Sequence, residues 1–197
     1  MHAMDALLHR SSAPRLVEPA PRGEQREQIF RAALRAPDHA RLRPWRFLVV
    51  EGAGRERLGE AMQRAMAAHK PSLSPQEAEK LRAAPLRAPL IVVLAGSISE
   101  HPKVPEIEQL LSVACAAQNM LLAAHALGFG GIWRTGPVTY TQELRAELGL
   151  RATERLLGFL YLGTPENAAR ALAETAVAQH FRNWPDAASG AAGDPDG

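Results

Sequence analysis

The sequence of 197 residues has one cysteine, three lysines and only 5% aromatic residues, and each shortage narrows what the protein does. A single cysteine, Cys115, excludes an internal disulfide and fits a reducing, cytoplasmic setting. Its place in an apolar helical run predicts a buried, inert thiol. The 23 basic and 21 acidic side chains leave a net charge of +2, so no basic surface for nucleic acid is implied. Nearly all the cations are arginines, the exceptions being Lys70, Lys80 and Lys103, and this compositional bias lowers the weight of any single arginine. No run approaches the roughly 18 uncharged apolar residues of a membrane span. Met1 to Asp5 carries no secretory pattern. Histidine, cysteine and carboxylates nowhere share metal-ligand spacing, so no metal is expected. A Gly-Lys-Ser/Thr loop is absent, and Gly128-Phe129-Gly130-Gly131 follows a helix and precedes a strand, the wrong order for a dinucleotide fingerprint. Rossmann and P-loop folds are therefore excluded.

What is present is an ordinary globular composition, 46% hydrophobic and 22% charged, which predicts one domain over residues 4–185 and a compositionally disordered tail over 186–197. The pattern predicts helices at Asp5 to Arg10, Glu24 to Arg35, Arg55 to Lys70, Pro75 to Ala84, Pro105 to Leu127 and Thr141 to Leu148. Ser74-Pro75-Gln76-Glu77 is a capping box with proline at the first helical position. Phe47 to Val50, Leu90 to Leu94, Ile132-Trp133 and Leu156 to Gly163 read as strands. The continuous apolar run Leu90-Ile91-Val92-Val93-Leu94 is that of a strand covered on both faces. The architecture is thus α+β, a small mixed sheet wrapped by helices. Past Glu108 the longest helix is apolar nearly all round, more than one subunit of this size covers, which predicts a homodimer.

Two loops carry candidate chemistry. His9-Arg10-Ser11-Ser12-Ala13-Pro14-Arg15 sets two hydroxyls between cations, which suits a phosphate monoester. Ala36-Pro37-Asp38-His39, continuing to Pro44-Trp45-Arg46-Phe47, brings cations, an imidazole and a rigid Pro-Trp step to the start of a strand. The bland readings stand beside these: a polar turn for Arg10 to Ser12, an Asx-type turn for Asp38-His39. Trp45 and Trp133 read as packing residues and His125 as a satisfied helix histidine. Arg134, beside a buried strand, is costly unless paired.

The Arg-x-Ser turn at Arg10 to Ser12, the Ala-Pro-Asp-His-x(4)-Pro-Trp-x-Phe segment and the run Gly128 to Gly136 appear in a fixed order with the closing strand Gly158 to Pro165. Together they resemble the nitroreductase family, and more narrowly its compact YdjA-like branch of NAD(P)H nitroreductases. The resemblance covers roughly Met4 to Pro165. It implies an FMN-dependent oxidoreductase, a homodimer with two flavin sites at the interface, which takes hydride from NADH or NADPH and passes it to a nitroaromatic, a quinone or another small electron-poor acceptor by ping-pong turnover. The flavin carries the chemistry, so no catalytic nucleophile or general base is implied. The resemblance places Arg10, Ser11 and Ser12 at the FMN phosphate and ribityl chain, and brings Arg35 and His39 to the flavin from the segment before Pro44-Trp45, of the same subunit or of the other. Trp133, Arg134 and Thr135 would line the ring or phosphate side. The stretch Ala123, Ala124, His125, Ala126, Leu127 and Gly128 would lie near the nicotinamide donor.

The chain departs from the wider family at Asp38, at Arg41 or Leu42, at Arg43, and at Pro14, where larger members often carry a lysine. Alternatives on the same scaffold are dehalogenation, enone reduction, or flavin binding and storage without turnover. A protein using the apolar helix for a partner is the alternative from outside the flavin class.

Overall fold

The computed structural model describes residues 1–167, 172–173 and 175–184. The tail expected over 186–197 lies outside the described residues. Among the described residues six α-helices surround one sheet: α1 (Ala3–His9), α2 (Gly23–Ala33), α3 (Gly54–His69), α4 (Pro75–Ala83), α5 (Glu106–Ala126) and α6 (Gln142–Glu147). The strands are β1 (Leu16–Val17), β2 (Trp45–Glu51), β3 (Leu90–Ser97), β4 (Gly130–Arg134) and β5 (Glu154–Pro165). β2 pairs with β3 and β3 with β5, and β5 also pairs with β4 and, at its last two residues, with β1. Each of these pairs is antiparallel. The mixed character of the sheet rests on one parallel bridge, Ser12 to Gly131.

Alternation along β3 and β5 builds two cores. Leu90, Val92, Leu94, Leu160 and Leu162 pack toward Ile29 of α2 and Val113, Met120 and Ala124 of α5. Ile91, Val93, Phe159 and Tyr161 face the other way, against Leu58 and Met62 of α3 and Leu144 of α6. Each fully buried aliphatic side chain contributes about 1.5–3 kcal/mol. This two-sided burial is why β3 reads as an unbroken apolar run. β2 does not share it: it is an edge strand whose Val49 is exposed, correcting the buried strand expected from Phe47 to Val50.

α4 starts at the expected capping box, with Ser74 Oγ accepting the Glu77 N–H and the Glu77 carboxylate accepting the Ser74 N–H. β1 was not anticipated. Two residues between prolines carry no periodicity, and only pairing with Thr164 and Pro165 makes them a strand. At the start of β5, the fully buried Glu154 holds β2 to the loop before it. Arg46 Nη2 and the Arg151 N–H donate to its Oε2 at 3.0 and 2.7 Å.

α5 is long and apolar enough to cross a membrane, contrary to the sequence expectation, yet Gln109, Ser112 and Asn119 interrupt it and one side forms the core. The opposite stripe is open. Ile107 and Leu111 are 59% and 55% exposed, and Cys115 is exposed on the same stripe, not buried as its surroundings in sequence suggested.

Candidate functional site

The last turn of α5 fixes one wall of the site. The Gly128 N–H donates to the His125 carbonyl and the Phe129 N–H to the Ala124 carbonyl, a Schellman closure that requires the left-handed φ of +86° at Gly128. The turn delivers the chain into β4, and the opposite wall is fastened to that strand. Ser12 bridges Gly131, and the Ala13 N–H donates to the Gly131 carbonyl at 3.2 Å. Between them lies a cavity of about 440 Å³, within the range of small-molecule sites of about 300–1,000 Å³. Ser11, Ser12, Pro14, His125, Gly128 and Phe129 line it.

Polar atoms without partners mark its surroundings. Arg10 Nη1, His125 Nε2 and Arg134 Nε are buried without a hydrogen-bond partner. A buried donor left unmatched costs about 1–3 kcal/mol, more when charged, and a ligand or an ordered water at the cavity is what would match it. His125 is therefore not the satisfied helix histidine expected from its sequence context. Arg134 is partly anchored: Nη2 donates to the Pro14 carbonyl at 2.8 Å, and the guanidinium lies over the Tyr161 ring, 5.6 Å from its centroid. Burial pushes the Tyr161 hydroxyl up to about 12 against the opposing pull of Arg134, so the phenol is neutral.

The predicted residues divide into three groups. Ser11, Ser12, His125 and Gly128 share the cavity, and Arg10 joins Ser11 in the same turn. Trp133 packs against the core with its indole N–H on the Leu157 carbonyl at 3.1 Å, as a packing residue does. Thr135 is exposed, and Ala124 is fully buried in the core with Ala123 and Leu127 packed beside it. Arg35 and His39 stand apart. Arg35 lies beyond the end of α2, and His39 Nδ1 meets Glu108 Oε2 at 2.9 Å in the first turn of α5. From Glu108 to His125 the helix rises about 25 Å, so within one chain the two halves of the predicted site are far apart.

Pro14 and Arg15 both line the cavity, and Arg15 also pairs with Glu166 at 3.8 Å. Phe129, Gly130 and Asn167 line it without having been anticipated. The glycine-rich run carried a signal for the first two. Asn167, just past the last strand, carried none.

A serine-rich turn and buried guanidinium nitrogens without partners beside a mostly apolar cavity can hold a ligand with an anionic group and a flat body. The family model of the nitroreductase family matches residues 16–164. The Escherichia coli (strain K12) protein YdjA, named as an NAD(P)H nitroreductase, is 46% identical over 166 residues, 84% of this chain and 90% of its own length. Among solved structures, a nitroreductase-like family protein from Bacillus cereus superposes with a TM-score of 0.77 at 20% identity, covering 93% of this chain and 96% of that one. An FMN-dependent nitroreductase from Clostridium difficile R20291 gives a TM-score of 0.68 at 21% identity, covering 92% and 99%. By family model, sequence and fold, this chain belongs to the nitroreductase family.

Proposed function

We propose that the protein is an FMN-dependent oxidoreductase, drawing on NADH or NADPH to reduce nitroaromatics, quinones or similar electron-poor small molecules, within one domain spanning residues 4–185. The observation that carries this reading is the unmatched Nε2 of His125 on the wall of the serine-lined cavity, with unmatched guanidinium nitrogens on Arg10, next to Ser11, and on Arg134, bonded to Pro14. The names of YdjA and of the Clostridium difficile structure support it with NAD(P)H and FMN respectively. Once bound, the flavin supplies the two-electron chemistry. The chain's own residues bind and orient. The Arg10 guanidinium and the Ser11 and Ser12 hydroxyls take the phosphate. Arg134, held by the Pro14 carbonyl and Tyr161, places positive charge beside the cavity, where it offsets negative charge that develops on reduction. His125 Nε2 offers a polar contact from the α5 end, on the side assigned to the nicotinamide donor.

The working unit in this reading is a cytoplasmic homodimer. The open stripe of α5 is apolar, and the halves of the site sit at opposite ends of that helix. Two copies packed with α5 antiparallel about a two-fold axis bring one copy's His39 end to the other's cavity. Titration of apoprotein with FMN, followed by sedimentation over a dilution series, tests both points together. The expected result is a dimer that binds FMN and releases it on dissociation. A monomer retaining FMN contradicts the shared site.

A further inference from the structure

We propose that Glu108 is a positioning residue for the cofactor, acting through His39; this rests on the reading above that His39 serves a flavin. Glu108 Oε2 and His39 Nδ1 are 2.9 Å apart. An ionised carboxylate only accepts, so Nδ1 carries the hydrogen and Nε2 is the remaining polar atom of the ring. Among the described residues Nε2 makes no hydrogen bond. A ring fixed at one nitrogen presents the other in a set direction, as carboxylate-held imidazoles do elsewhere.

The loop that carries His39 is itself held in an unfavourable shape. Ala40, Arg41 and Arg43 have φ of +59°, +56° and +49°, a left-handed backbone that is unfavourable at non-glycine residues. Asp38 maintains that shape, its carboxylate accepting the Leu42 N–H at 3.1 Å and the Arg43 N–H at 2.7 Å. Asp38 is therefore a clamp on the loop. Strain of this kind persists where a side chain must be presented in one direction.

Folding of the single chain does not account for the pair. His39 and Glu108 are 60% and 45% exposed, and exposed ion pairs add little to stability. Glu108 also adjoins Ile107 and, one turn on, Leu111, the open apolar stripe of α5. When that stripe is covered by a second copy, the pair enters the rim of the contact, where its direction matters to the partner's cavity.

The test compares Glu108→Ala, Glu108→Gln, His39→Ala and the double alanine variant, using the full chain as apoprotein titrated with FMN. Losing one well-placed charge-assisted contact corresponds to about a tenfold weaker FMN affinity. Glu108→Ala and His39→Ala each show that loss, the double variant shows no more than His39→Ala alone, and Glu108→Gln, whose amide oxygen still accepts from Nδ1–H, restores most of the affinity. Apoprotein melting and dimer formation stay unchanged throughout. Normal FMN affinity in Glu108→Ala, or summed losses in the double variant, overturns the proposal while leaving the flavin reading intact. Wild-type protein that binds no FMN removes both.

Discussion

Ser12 and Gly131 lie side by side in the one parallel bridge of the sheet, and that bridge is what sets the arginine-serine turn beside the cavity. Gly131 allows it because no side chain fits there. A Cβ at this position would meet Leu121 Cδ2 at 2.7 Å, Leu162 Cδ2 at 3.0 Å and the Tyr161 carbonyl at 3.2 Å. Gly131→Ala is expected to cost about 1–3 kcal/mol through overpacking and to weaken FMN binding by shifting the turn. Gly136→Ala, which meets nothing within 4 Å, is the control. Equal melting of the two variants would show that the close packing at Gly131 is not limiting.

Arg10→Ala removes a guanidinium with an unmatched buried nitrogen next to the two serines. The expected loss in FMN affinity is about 1.5–3 kcal/mol, the size of a charge-assisted hydrogen bond. Riboflavin lacks the phosphate and should bind wild type and variant alike. If wild-type protein binds FMN and riboflavin equally, Arg10 does not serve a phosphate.

Acid stability reports on Glu154. Burial alone would raise its pKa, but the Arg151 N–H and the Arg46 guanidinium outweigh burial and hold the carboxyl below its ordinary 4.5. A depressed folded value means stability that is present above the unfolded value and lost as pH falls through the folded one. Wild-type melting should therefore fall more steeply below about pH 4.5 than that of Glu154→Gln, which is already destabilised at neutral pH. Parallel melting curves would show that the pair does not titrate with folding.

Cys115 lies near the middle of the open α5 stripe, between Glu108 and His125. Antiparallel packing of two α5 helices places the two cysteines close to the two-fold axis. A short bismaleimide should link native protein into a species of twice 21.3 kDa, and Cys115→Ser should abolish the link. A native dimer that resists linkage would place its interface elsewhere.

Local chemistry was legible in the sequence wherever one element decided it. The Leu90 to Leu94 run, the Ser74 capping box and the Gly128 turn each declare themselves within a few residues, and all three stand. What was not legible depended on neighbours distant in sequence. β2 is as apolar as β3, and only its place at the sheet edge exposes Val49. Cys115 sits among core residues in sequence but on the uncovered face in space. The resemblance leaves open which subunit supplies Arg35 and His39, and only the length of α5 between its two ends separates them from Arg10 and Ser12 within one chain. The unmatched Nε2 of His125 is likewise a property of the cavity.

The absorbance spectrum of the FMN-loaded protein, recorded without oxygen before and after addition of NADH or NADPH, tests the central reading most directly. The account predicts a yellow protein whose flavin band bleaches on addition of at least one of the two donors and returns when a quinone or nitroaromatic is added. A bound flavin that neither donor bleaches would contradict it and identify a flavin-binding protein without turnover.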